Sequence, residues 1–240
     1  VATMTVRDFR NYGMLDLSGV ILKSSNVGVV KIALDIGAES IYDLLSKLGF
    51  GEYTGIGFPG ESTGSLPARR RWPPVETATL SYGYGLSVTA TQLAQAYATL
   101  ANNGRRLPLS LLKVNEPQTG EQIIPEEVSQ QLLTMLRGVV DGEGGTGSRA
   151  RVPGYQIGGK TGTVHKTEAG GYAKHRYRSV FAGIAPISNP RFAAVVVIDE
   201  PSKGDYYGGL VAAPVFGEIM SGALRLMNVT PDDLPALQQV

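Results

Sequence analysis

Gly158-Gly159-Lys160-Thr161-Gly162-Thr163 decides how the rest of this chain is read. Apolar residues lead into it at Val152, Tyr155 and Ile157, so it reads as the opening of a β-strand whose middle carries no large side chain. Glycine weakens a strand and often marks where a ligand or another backbone comes close. A lysine and two threonines among those glycines give the approach a polarity. An ammonium and a hydroxyl receive an anion, and bare N–H groups receive an oxyanion.

Downstream, residues 156–164, 179–185 and 192–199 read as three strands with short links, which predicts antiparallel neighbours. The link at 166–177 is longer and polar, with Gly170-Gly171, and is expected to be the most mobile part of this half. A last helix is predicted over 211–227, with Pro214 in its first turn and Ala212, Val215, Phe216, Ile219, Met220, Ala223 and Met227 inside. The tail from Pro231 is expected to fray.

Upstream, helices dominate. One is predicted over 27–35, capped by Ser24 or Ser25. Ile41, Leu44, Leu45 and Leu48 form the face of another, which Gly49 ends. Residues 51–76 read as loop. Thr89-Ala90-Thr91-Gln92 is a capping box ahead of a stripe at Leu93, Tyr97, Leu100 and Ala101. Residues 107–114 read as a strand, followed by a turn at 116–120. Pro125 opens a helix with Val128, Leu132, Leu136, Val139 and Val140 inside, and 141–151 is Gly-rich and mobile-looking. The fold class is α+β: a mainly helical part, 1–150, and a sheet part backed by a C-terminal helix, 151–240.

The bulk numbers set bounds. At 240 residues and 42% hydrophobic, the chain has ample material for a core. A formal net charge of +1 gives no basic field that argues for nucleic acid. No run of about 18 apolar residues predicts a membrane span. The chain opens on Val1 rather than Met and reads as a piece of something longer. Zero cysteines fit an oxidising compartment.

Several motif matches fail on context. Gly60-Glu61-Ser62-Thr63-Gly64 has the spelling of a nucleophile elbow, but Pro59 precedes it and Ser65-Leu66-Pro67 follows, where the motif needs a strand and a helix. Gly55 to Gly60 spells a dinucleotide fingerprint with Pro59 and Gly60 where a helix would start. Arg69-Arg70-Arg71 reads as a solvated run. His165 and His175 have no His or Cys partners at metal-ligand spacing, so both read as solvated or hydrogen-bonded surface residues.

Ser24-Ser25-Asn26, at a predicted helix start, is an N-cap when read alone. Taken with Lys160-Thr161-Gly162 more than a hundred residues later, it resembles two of the three motifs of the penicillin-recognising serine acyltransferases. The surroundings narrow the likeness. Residues 21–29, Gly57 to Glu61, Glu76-Thr77-Ala78-Thr79 with Tyr82-Gly83-Tyr84-Gly85, Phe181 to Pro186 and Ile198 to Met227 resemble the class B penicillin-binding protein transpeptidase domain. Within that family they resemble most the septal branch, penicillin-binding protein 3 of Gram-negative bacteria. The family's nucleophile lies in an S-x-x-K motif upstream of S-x-N. The pattern is expected nowhere in this chain, so the nucleophile is expected to be absent from it and to lie before Val1.

The resemblance implies a peptidoglycan D,D-transpeptidase. A serine would attack the D-Ala-D-Ala amide of a stem peptide, expel D-Ala and pass the acyl group to an amine of a neighbouring strand. Ser24 would relay a proton, since a hydroxyl both donates and accepts. Asn26 would hold the acyl-side carbonyl. Lys160 would supply positive charge, Thr161 would bind the substrate carboxylate, and Gly162 would let the peptide lie along the strand. The N–H of Thr163 would complete the oxyanion hole, with each donor worth about 3 kcal/mol. Tyr84, Tyr177, Tyr206 and Tyr207 would line the pocket, with ordinary packing as their alternative. The implied partners are the stem peptide, β-lactam antibiotics, the N-terminal remainder of the protein and division-complex proteins. The implied place is the periplasmic side of the bacterial inner membrane. Other readings are a β-lactamase or D,D-carboxypeptidase of the same superfamily, and a non-catalytic β-lactam sensor or division scaffold. The E-x-x-L-N stretch of class A β-lactamases does not occur.

Overall fold

A computed structural model of the chain describes residues 1, 4–116, 118–168 and 171–234, with the side chains of 167, 168 and 171–174 outside the description. It divides into two compact units, Val1–Val128 and Ser129–Val240. The division falls earlier than the boundary expected at 150/151. The 3-10 turn Ser148–Ala150 packs on the C-terminal helix, so the segment ahead of the sheet belongs with the sheet.

The first unit carries helices α1 (Leu17–Lys23), α2 (Asn26–Ile36), α3 (Ala38–Lys47), α4 (Pro74–Ser81) and α5 (Ala90–Ala101), and a two-residue ladder of β1 (Arg105–Arg106) and β2 (Glu121–Gln122). The sequence gives no periodic signal for α1, whose Asp16 cap accepts from the Gly19 N–H at 2.7 Å. A Cβ at Gly28 would lie 2.5 Å from Val20, so a glycine there admits α1 against α2. Pro74, in the first turn, starts α4 inside the stretch read as loop. The capping box forms as expected: Gln92 N–H donates to Thr89 Oγ1 and Thr89 N–H to Gln92 Oε1. The buried face of α5 differs from the expected stripe, being Gln92, Gln95, Ala96 and Thr99 with Leu93 and Leu100 at its margin. Gln92 Nε2 donates to the carbonyls of Glu52 and Thr63, each at 2.8 Å, and so holds the glycine-rich loop onto the helix. The strand expected over 107–114 does not form. Ser110 Oγ bonds both the N–H and the carbonyl of Leu112, a local turn that competes with a ladder. Pro117, in the expected turn at 116–120, lies outside the described residues.

Helix α6 (Glu126–Asp141) leads into the second unit, followed by β3 (Gly158–Glu168), β4 (Gly171–Ala185), β5 (Phe192–Asp199) and α7 (Gly208–Leu226). The inner face of α6 is Ser129, Leu133, Leu136, Val139 and Val140, with Val128 exposed. Residues 142–150 are packed rather than loose, since a Cβ at Gly145 would sit 2.3 Å from the Val139 carbonyl oxygen. The sheet order is β3-β4-β5, antiparallel throughout. The bounds of β5 match the expectation, while β3 and β4 run well into the link read as 166–177. The mobility expected there falls in part on residues outside the description. The core gathers Phe181, Ile157, Val196, Ala212, Phe216, Met220 and Leu224 between sheet and α7.

Helix α7 starts at Gly208, so Pro214 falls beyond its first turn. Its start lies early because a first-turn N–H, that of Gly208, donates to Thr163 Oγ1 at 2.9 Å. Ile219 and Met227, expected inside, face outward, and Ala213, Gly217 and Leu224 take their place. By length and composition α7 could cross a membrane, yet Ala212, Phe216 and Leu224 are fully buried against the sheet unit's core. The fraying expected from Pro231 does not apply to 231–234. Asp232 accepts from the Gln156 N–H at 2.8 Å and from the Ser188 hydroxyl at 2.6 Å.

Candidate active site

The Ser24-Ser25-Asn26 turn joins α1 to α2, and the structure separates the roles of its two serines. Ser25 is the N-cap of α2: its buried hydroxyl accepts from Gly28 N–H at 2.9 Å and donates to Asp8 Oδ2 at 2.7 Å. Asp8 Oδ1 takes the next free donor, Val27 N–H, at 3.0 Å. Capping is thereby complete without Ser24. Ser24 instead ends α1 in the left-handed region at φ 54° and ψ 47°, exposed. Side chains visit that region at a cost of roughly 1–2 kcal/mol. Asn26, the first residue of α2, is exposed beside it, with Nδ2 3.5 Å from the Arg7 carbonyl. Tyr84, in the same unit, is half-buried with its ring edge-on to Tyr82 at 5.6 Å.

Strand β3 is an edge of its sheet. Its glycines do different things. A Cβ at Gly158 would lie 2.5 Å from Ile187, and one at Gly159 would lie 2.5 Å from Phe181, so these two make room for the chain's own core. A Cβ at Gly162 would meet only Val180, at an ordinary 3.5 Å, so nothing in the fold fills that place. Lys160 is half-buried, donates to the Thr161 carbonyl at 3.1 Å, and is lowered by burial to a pKa of about 8. Desolvation disfavours the ammonium, so this lysine gives up a proton more easily than an exposed one. Thr161 Oγ1 lies 2.9 Å from Thr146 Oγ1, and Thr163 Oγ1 accepts from Gly208 N–H. Thr146 was not among the expected site residues. Its signal in the sequence, a threonine in a run of glycines, is not separable from an ordinary turn.

Past Thr163 the same strand leads to a ring stack. Tyr177 lies on Tyr206 with centroids 3.9 Å apart and planes at 12°, and His165 and Tyr207 extend the stack at 4.5 Å on either side. Tyr206 and Tyr207 hydroxyls are 3.2 Å apart, and that hydrogen bond raises the Tyr207 pKa. Burial raises that of Tyr177. The three expected tyrosines of this unit are thus together in one stack.

Other motifs resolve as turns. Glu61 of the elbow-like stretch accepts from Thr54, and Ser62 Oγ accepts from Gly64 N–H, with no helix following. The chain does contain one S-x-x-K tetrapeptide, Ser110-Leu111-Leu112-Lys113, which corrects the expectation that this pattern is absent. It follows S-x-N rather than preceding it, and it forms the exposed local turn described above instead of a helix start. Among the described residues no group of three or more His, Asp or Glu is placed to hold a metal ion.

The family model for the penicillin binding protein transpeptidase domain matches residues 2–221. The chain is 46% identical over 229 residues to peptidoglycan D,D-transpeptidase FtsI of Escherichia coli strain K12, covering 95% of this chain and 39% of that protein. It is 43% identical over 230 residues to a probable peptidoglycan D,D-transpeptidase of Pseudomonas aeruginosa, covering 96% and 40%. The solved transpeptidase domain of Burkholderia pseudomallei penicillin-binding protein 3 superposes with a TM-score of 0.90 at 41% identity, covering 95% of this chain and 69% of that one. The chain spans about 40% of the length of these curated relatives.

Proposed function

Because the chain belongs to the penicillin-binding protein transpeptidase domain family, we propose that it is the acyl-transfer part of a peptidoglycan D,D-transpeptidase that cross-links the septal cell wall. A serine of the intact protein attacks the penultimate carbonyl of a D-Ala-D-Ala stem peptide. The C–N bond to the terminal D-Ala breaks, its nitrogen takes a proton, and an ester forms on the serine. An amine of a neighbouring strand then displaces the serine and takes the acyl group. β-Lactams acylate the same serine and stay there. No step requires a metal or cofactor.

The observation that carries this reading is the division of labour along β3. Lys160, lowered to a pKa of about 8, remains mostly an ammonium near neutral pH and supplies charge for an anionic substrate terminus. Thr161, oriented by Thr146, binds the substrate carboxylate. Gly162 leaves the strand edge free for the substrate backbone. With its hydroxyl engaged by Gly208, Thr163 offers its N–H to the oxyanion. On the α1–α2 turn, the strained Ser24 relays the proton to the leaving amine, and the Asn26 amide holds the acyl-side carbonyl. Tyr177, Tyr206 and Tyr207 form a wall, and Tyr84, in the first unit, is a further ligand-binding residue. Tyr177, stacked on Tyr206, is the member of the wall that strand β4 carries. The intact protein is anchored in the inner membrane, works on its periplasmic face, and meets division-complex proteins there.

Incubating the intact protein with fluorescent penicillin should give a stable adduct on a serine outside these 240 residues. An adduct on Ser24, Ser62 or Ser110 overturns the assignment. Rapid release of hydrolysed penicillin turns the reading toward a β-lactamase.

A further inference from the structure

Beyond the site, the far ends of the three strands carry a charge cluster. Lys166 Nζ lies 2.8 Å from Asp199 Oδ2 and 2.5 Å from Glu200 Oε1, so one ammonium links β3 to the end of β5 across the strand between them. Arg176 donates Nε and Nη2 to that same Glu200 oxygen at 3.0 and 2.6 Å, and Arg178 Nε meets Asp199 Oδ1 at 3.0 Å. Single exposed ion pairs contribute little, but charges that share partners in one network hold geometry. Hydrogen bonds from Arg176 and Lys166 lower the Glu200 pKa to about 2, and Lys166 and Arg178 lower that of Asp199. Both carboxylates are therefore ionised throughout the neutral range. Glu200 sits at φ 51°, a left-handed conformation that persists in a side-chain-bearing residue only when its surroundings fix it.

Tyr177 stands between the two clamped arginines. Its carbonyl accepts from the Glu200 N–H at 2.9 Å. The backbone of this one residue is thus fixed by its own carbonyl and through both neighbours. Successive strand side chains point to opposite faces, so the arginines leave one face while the Tyr177 ring leaves the other, onto Tyr206. The cluster holds the backbone and leaves the ring on the opposite face, stacked on Tyr206.

We propose that Lys166, Asp199 and Glu200 are positioning residues that set the Tyr177–Tyr206–Tyr207 stack, and so determine how strongly acyl donors with bulky apolar side groups are favoured over small ones. The proposal rests on the acyl-transfer reading above. It predicts that loss of the cluster changes selectivity and leaves the acyl-transfer chemistry intact.

The test measures second-order acylation of the intact protein by two β-lactams, one with a bulky apolar side group and one with a small group. Lys166→Met and Glu200→Gln should each lower the bulky-to-small ratio by about fivefold, the scale of one side chain's ordering cost, with the small compound changed less than about twofold. Lys166→Arg should restore the ratio. In the unmodified protein, about 1 M salt, where screening acts within about 3 Å, should shift the ratio in the same direction, so the result stands even if a variant folds poorly. Hydrogen exchange at the Glu200 amide, which bonds Tyr177, should quicken in Lys166→Met. An unchanged ratio in both variants and in salt, while Tyr177→Ala lowers it, overturns the positioning role and leaves the wall standing. An unchanged ratio in Tyr177→Ala overturns the wall itself. Equal loss for both compounds in all variants points to damage to the fold and also overturns the proposal.

Discussion

The α1–α2 turn and strand β3 hold their polar groups by opposite means. At the turn, geometry is local and polar. Ser25 and Asp8 satisfy the helix start between them, and the strain is left on Ser24. On β3, geometry comes from packing. Gly158 and Gly159 are pressed by Ile187 and Phe181, and Lys160 is perturbed by burial rather than by a named charge. The turn should therefore fail when a hydrogen bond is removed, and the strand when volume changes.

The largest effect should come from volume. Phe181 is fully buried, lies 4.9 Å from Phe216 and backs Gly159. Phe181→Ala should cost about 3–5 kcal/mol in denaturant unfolding and slow acylation by loosening β3. A loss confined to stability, with acylation unchanged, would separate the strand's chemistry from its packing. The next effect is electrostatic. Lys160 is lowered from 10.5 to about 8, so between those values the unfolded chain binds more protons than the folded one. Stability should rise with pH across that window, by at most about 1.4 kcal/mol per pH unit, and show no Lys160 slope below 8. Subtracting the profile of Lys160→Met isolates this slope, and a difference that falls with rising pH contradicts burial as the cause.

Ser25→Ala tests the turn. Loss of the cap should cost about 1 kcal/mol and leave Asp8 without its hydroxyl donor. If acylation survives that change, the turn is held by more than the cap. The smallest effect belongs to Ser24→Gly. Glycine relieves the left-handed strain of about 1–2 kcal/mol but loses about 0.5–1 kcal/mol of chain entropy, so net stability should rise slightly. Acylation by the intact protein should nevertheless fall, and a variant that is stabilised and fully active would remove Ser24 from the chemistry.

These two regions also differed in how legible they were. The glycine-flanked Lys160-Thr161-Gly162 announces a strand that something approaches, but not that Phe181 and Ile187 supply the approach at its first two glycines. Those neighbours come from other strands and links, and no local pattern reveals them. At the turn, the sequence could not choose between Ser24 and Ser25 as the cap, because the choice depends on Asp8, seventeen residues from Ser25. Strand β5 was readable to the residue because Phe192 to Asp199 is a short apolar run bounded by turn residues. The run from Leu107 to Val114 looks similar and forms no strand, since Pro108 and the Ser110 turn remove it from any ladder. The wall was suggested by family likeness, whereas the charge cluster behind it has long-range partners and no motif.

The Asp232 contact has a consequence for how the sheet unit comes to be assembled. It joins residues 76 apart in the chain and turns the segment from Gln156 to Asp232 into a closed ring. Closing a ring of that size costs about 4 kcal/mol of chain entropy, met only once strands and helix are already in place. The contact therefore depends on strands and helix holding its two ends together, and it fixes the residues immediately before Gly158. A chain cut back to Thr230 would keep every strand and all of α7, yet Gln156, two residues ahead of the Lys160 strand, would lose its Asp232 partner and keep the Ile187 N–H on its carbonyl. The approach to β3 is therefore answerable to a carboxylate synthesised some seventy residues after it.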